Sequence, residues 1–230
     1  MKSYTLILFA LFTFVFSYTG YTQIQVGPLA GFGLNALSIN PDVQGRNIDT
    51  KPGYTLGVTF IYNFSPMFSV QLEPAYTQRG ATIYSAQTDI GLILEIEQSV
   101  EMNYVDVPLL FKVSFGGDFI KPYIIGGADI GFPLENTKLK LNKVIANGES
   151  VIEIVPEELK YQELLNEGVD FGLNFGAGFS FPISTVSMFF QAQYNLGLSD
   201  LNNETPQEGV EQDIIKNRSF QIKTGLLITL

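Results

Sequence analysis

Residues 54–64 read Tyr-Thr-Leu-Gly-Val-Thr-Phe-Ile-Tyr-Asn-Phe. One parity carries Tyr54, Leu56, Val58, Phe60, Tyr62 and Phe64, and the other carries Thr55, Gly57, Thr59, Ile61 and Asn63. A period of two places these sets on opposite faces of a β-strand. The same alternation recurs at residues 25–37, 68–84, 102–115, 121–134, 169–181, 186–198 and 217–230. The pattern therefore predicts eight strands in an all-β domain.

The seven connections alternate long and short. Polar residues 38–52 form a long loop, and Ser65-Pro66-Met67 is a tight turn. Residues 85–101 read as a loop or a strand extension, and Gly116-Gly117-Asp118 is again a short turn. The longest interruption, residues 135–168, contains a predicted short helix from Pro156 to Asn166, with proline and acids in its first turn. Residues 182–185 turn tightly, and an acidic loop covers residues 199–216. An even strand count with tight turns at one end and long loops at the other is the pattern of an up-and-down outer-membrane barrel. Starting on a long loop puts both termini in the periplasm.

The two faces differ in bulk. The apolar parity holds Tyr54, Phe60, Tyr62, Phe64, Phe68 and Tyr76 in the second and third strands, and four Phe in the sixth. An eight-stranded barrel has an interior just wide enough for side chains to fill. That aromatic volume belongs outside, against lipid. The other parity offers Gly, Ser, Thr, Asn and Gln with single charges, Glu73, Arg79, Asp106, Lys112, Asp129, Asp170 and Lys223. These suit a crowded lumen in which the charges pair as a structural network. Tyr54, Tyr62, Tyr76 and Tyr194 fall near strand ends on the lipid parity, where an aromatic girdle is expected. A soluble lipocalin-like barrel with its apolar face inward is the alternative.

Composition narrows the reading further. Charged residues make up 16% of the chain against ~25% for a typical soluble domain. The net charge of −10 argues against nucleic acid. Lys2 followed by an apolar run over residues 4–16 has the form of a secretory signal, giving residues 1–22 as signal peptide and 23–230 as barrel domain. There is no cysteine, hence no disulfide, thiolate site or lipoprotein anchor. There is no histidine, which removes Ser-His-Asp and Cys-His triads and the commonest zinc ligand. A carboxylate pair in the lumen remains formally able to hydrolyse, but a plugged lumen has no room for substrate. Asp200-Leu201-Asn202-Asn203-Glu204 has the glycine and terminal glutamate of a calcium loop out of place, and reads as solvated. No enzyme, metal or cofactor is expected.

Several motifs carry a family resemblance. Val105-Asp106-Val107-Pro108-Leu109-Leu110-Phe111-Lys112, Lys121-Pro122-Tyr123 with Gly126-Gly127, and Asp170-Phe171-Gly172-Leu173-Asn174-Phe175-Gly176-Ala177-Gly178 are three of them. Tyr194-Asn195-Leu196-Gly197-Leu198 and Lys216-Asn217-Arg218 are two more. Together the chain resembles the PorT-type outer-membrane β-barrel family of Bacteroidetes, with Asp106 where that pattern carries glutamate. The resemblance implies the same barrel fold, and for PorT itself an association with protein secretion and gliding. It carries over no functional residues.

The expectation is a monomeric barrel in the outer membrane of a Gram-negative bacterium. Its role is structural or interaction-based, with lipid as its surroundings and a closed polar lumen. The alternative is a component of a secretion, gliding or adhesion apparatus that binds a protein through residues 135–168. A small pore is a third reading.

Overall fold

The computed structural model describes residues 23–41, 46–89, 92–117, 119–134, 138–146, 149–152, 159–160, 168–202 and 213–230. The expected signal peptide, residues 1–22, lies outside them. Among the described residues thirteen strands form one antiparallel sheet that closes on itself. In chain order they are β1 (Gln23–Asn40), β2 (Arg46–Asn63), β3 (Phe68–Leu72), β4 (Ala75–Asp89), β5 (Leu92–Asp106) and β6 (Leu109–Ser114). Next come β7 (Lys121–Pro133), β8 (Lys138–Ala146), β9 (Glu149–Ile152) and β10 (Leu159–Lys160). The series ends with β11 (Asp170–Ile183), β12 (Val186–Gly197) and β13 (Ile214–Thr229).

Eight positions make the ring, because β3 and β4 share one and β5 and β6 share another. β1 pairs with β2 on one side and β13 on the other, closing the circle. The two split positions are neighbours. Glu73-Pro74 separates β3 from β4, and Val107-Pro108 separates β5 from β6, while Leu72 opposes Leu109 and Ala75 opposes Asp106. A proline cannot donate to a ladder and is confined to such irregularities. The chain stays stitched across them, since the Glu73 amide donates to the Pro108 carbonyl and the Val107 amide to the Ile130 carbonyl.

Outward-facing apolar residues form a belt. It begins and ends at residues 24 and 34 in β1, 54 and 62 in β2, and 220 and 228 in β13. On the other walls it spans residues 105–115, 171–183 and 186–198. Ten residues of strand cover ~33 Å, and a tilt of ~40° brings this to ~25 Å along the barrel axis, the height of a lipid-facing band. The Phe-rich face meets lipid, as the bulk of the two parities requires.

Beyond the belt the alternation inverts. Leu37, Ala81, Val100, Met102 and Tyr104 are buried together with Leu201, and Ile39, Ile48, Ile83 and Ile215 pack against them. Here the apolar parity faces inward and Ser38, Asn40 and Tyr84 are exposed. Water has replaced lipid outside, so the hydrophobic side turns to the interior. The long loop expected over residues 38–52 is therefore mostly strand: β1 runs on to Asn40 and β2 starts at Arg46. Residues 85–101 are strand extension, with β4 and β5 paired out to Asp89 and Leu92.

The interruption at residues 135–168 is also largely re-assigned. β8 continues the line of β7 beside β5, and β9 and β10 pair with β8. Within the expected helix of residues 156–166, Leu159 and Lys160 are strand, and the remainder lies outside the described residues. Backbone groups of β5 left over above β7 are satisfied by this added strand, which a local helix could not do.

Candidate functional site

All seven predicted charges are buried in the lumen. Arg79, on β4, receives three carboxylates. Its guanidinium lies 2.8 Å from Asp106 on β5, 3.1 Å from Asp129 on β7 and 3.2 Å from Asp170 on β11. Four walls of the barrel thus converge on one side chain. Tyr104 lies against the same guanidinium, 4.8 Å from ring centroid to Cζ. Asn217 donates to Asp170 at 2.7 Å, and Asn195 donates to Asp129 at 2.6 Å.

A second cluster surrounds Glu73, which is fully buried. It accepts from Lys223 at 3.0 Å, Gln71 at 2.5 Å, Gln191 at 2.6 Å and Gln193 at 3.1 Å. Glu73 sits at the break before Pro74 and keeps the inward parity of Gln71 and Ala75. Four donors offset the desolvation that a buried charge suffers. Tyr123 extends the network by donating its hydroxyl to Gln191 at 3.0 Å. Between the two clusters the cavity measures only about 10 Å³, room for about one water.

Lys112 departs from the expected ion network. It is buried, yet among the described residues it makes no hydrogen bond or ion pair. Instead its ammonium sits 3.8 Å from the centroid of the Tyr123 ring. Such a cation–π contact contributes roughly 2 kcal/mol when desolvated, less than the several kcal/mol that burying an ammonium costs.

The residues that sequence reasoning missed are the neutral partners. Gln71 lies two residues from Glu73, Gln191, Gln193 and Asn195 follow one another at a spacing of two, and Asn217 shares its parity with Lys223, the available signal. Tyr104 and Phe189 stand inside the lumen unexpectedly, while Tyr123 lies there on the parity that the alternation gives it. Glycines make room for them: a Cβ at Gly178 would stand 2.6 Å from the Tyr123 ring, and one at Gly225 2.6 Å from the Phe189 ring. Bulk alone therefore does not exclude an aromatic from a narrow barrel where the facing residue has no side chain.

The four predicted girdle residues occupy the lipid face. Tyr54 and Tyr76 meet at the outer edge of the belt, with ring centroids 5.8 Å apart, and the Tyr76 hydroxyl donates to Asn103. Tyr62 lies at the inner edge, and Tyr194 in the outer half of its strand's belt; both are exposed. Phenylalanine completes the inner rim, where Phe64, Phe68 and Phe111 have centroids 5.9 to 6.3 Å apart.

Among solved structures, OprG from Pseudomonas aeruginosa is similar at 12% identity and a TM-score of 0.47, covering 91% of this chain and 96% of that one. Neisserial surface protein A is similar at 12% identity and a TM-score of 0.45, covering 89% and 96%. Ail, the attachment invasion locus protein of Yersinia pestis, shows 16% identity, a TM-score of 0.40, and coverage of 90% and 98%. No curated protein matches the chain. Residues 17–203 match the family described as "Outer membrane protein beta-barrel domain". With most of its length matched, a closed eight-position ring and a lipid-facing belt, this chain belongs to that outer-membrane β-barrel family and resides in the outer membrane of a Gram-negative bacterium.

Proposed function

We propose that this protein is a monomeric, non-catalytic barrel with a closed lumen, acting through its extracellular hairpins on a protein partner. The observation that carries the reading is the filling of the lumen. The space between the ion clusters is about 10 Å³, and the apolar cluster around Met102 and Tyr104 caps the outer end. The buried charges hold the walls together; with Arg79 and Lys223 already engaged, the carboxylates are poorly placed for hydrolysis. In planar bilayers the purified chain is expected to give no stable ion-sized current steps. Regular steps would overturn the closed lumen and favour the pore.

The partner reading rests on the outer walls. β2, β4, β5 and β8 rise past the belt as a sheet, holding a groove of about 560 Å³ lined by Arg46, Tyr84, Glu95 and Ile145 among others. A role in secretion, gliding or adhesion, as the PorT-like motifs imply, would use this sheet and the segment at residues 135–168. Photocrosslinkers placed at Tyr84 and Ile145 in the native envelope are expected to capture one protein species. The same yield from a crosslinker at Phe175, in the lipid belt, would contradict the assignment.

A further inference from the structure

The periplasmic end of the lumen is built unlike the rest of the protein. A cavity of about 340 Å³ opens there, below the layer of Tyr123 and Phe189, with room for about ten waters. It is lined by Lys112 and Lys121, the hydroxyls of Ser114, Ser180 and Ser187, and the amide of Gln25. None of its described lining residues is acidic, although the chain as a whole carries a net charge of −10. With Ser65 also in the lining, two cations and four serines thus border one small space. Lys112 is only 5% exposed and has no carboxylate within ion-pair distance among the described residues. Glu73, a carboxylate of the lower lumen, is taken by Lys223 and three amides.

A buried ammonium calls for a counter-charge, and this cavity opens onto Lys112. Hydroxyls and ammonium groups together recognise oxyanions through charge-assisted hydrogen bonds. We propose that the periplasmic vestibule is a binding site for a small oxyanion, a phosphate or a carboxylate, held between Lys112 and Lys121 with serine hydroxyls as further donors. Because the lumen is sealed above, the anion binds and leaves on the same side. The inference does not require the partner reading, and a conducting barrel would leave it standing.

The test uses the full chain in detergent micelles with lysine labelled at Cε, titrated separately with inorganic phosphate, acetate, and a tripeptide with free or amidated C-terminus. The Lys112 and Lys121 signals should shift together along a saturating curve, while Lys51, paired with Glu101 on the outer wall, stays still. Lys112→Met is expected to raise the half-saturation concentration at least tenfold, and Lys121→Gln about threefold. If Lys112→Met does not fold, Lys121→Gln with Lys51 as internal reference decides alone. Saturation by phosphate only identifies a free inorganic anion as the ligand. Saturation by the free but not the amidated peptide identifies a chain-terminal carboxylate. A linear drift shared by Lys51, or unchanged saturation in both variants, would overturn the site and leave water as the solvent of Lys112.

Discussion

Arg79→Met is expected to destabilise the barrel by about 5 kcal/mol, the upper range for removing one partner of a buried ion pair. The reason is the count of carboxylates it leaves behind. Asp106, Asp129 and Asp170 lie within 3.2 Å of that one guanidinium, and each is at most 5% exposed. Without it three like charges share a space with no route to water. Protonation or strand separation must follow, and both weaken the closure of four walls. Urea unfolding in lipid vesicles, followed by heat-modifiable gel mobility, measures the loss. Converting the three aspartates to asparagine in the same chain should restore most of it, because neutral amides need no counter-ion. A single Arg79→Met variant as stable as the parent would show that the cluster does not hold the walls together.

Phe175→Arg is the second large effect. Phe175 is half exposed and lies near the middle of the lipid-facing stretch of β11. A cation placed near the bilayer midplane on an outer-membrane barrel costs about 2–4 kcal/mol. The comparison is Asn47→Arg, on an exposed position of β2 above the belt, where a surface change should stay within about 0.5 kcal/mol. The ratio of the two carries the meaning. In a water-soluble barrel both substitutions would be tolerated alike, and in a bilayer only the first is costly.

The fold was legible where lipid imposes its pattern. β12 and β7 match their expected extents to within a residue, since a lipid-facing strand alternates Phe, Ile and Tyr with Gly, Ser and Gln. The strands above the membrane were hidden for a physical reason. There the polarity of alternation reverses, so that in β5 Tyr104, Met102 and Val100 point inward where Val105 points to lipid. Along one apolar parity the reversal looks the same as the end of a strand. The charges of the lumen were legible because a charge on a polar parity in a narrow barrel must be inside. Which charge meets which was not. Registers between non-adjacent walls, such as Arg79 opposite Asp170, are set by barrel closure and are absent from any local pattern. Lys112 shows the consequence, being on the right face and at the wrong level to meet a carboxylate.

The central claim is that one set of apolar side chains touches lipid and the other seals the lumen. It is tested most directly by intermolecular nuclear Overhauser contacts between lipid acyl chains and the methyl groups of the refolded protein. Leu56, Leu109, Ile124, Ile222 and Leu226, exposed on the belt, should all show acyl-chain contacts. Leu29, Ile61, Leu110, Ile125 and Leu227, buried in the lumen, should show none, and neither should Met102 and Val100 in the outer plug. Acyl contacts on the second set in place of the first would contradict the account and make this a barrel with its apolar face inward.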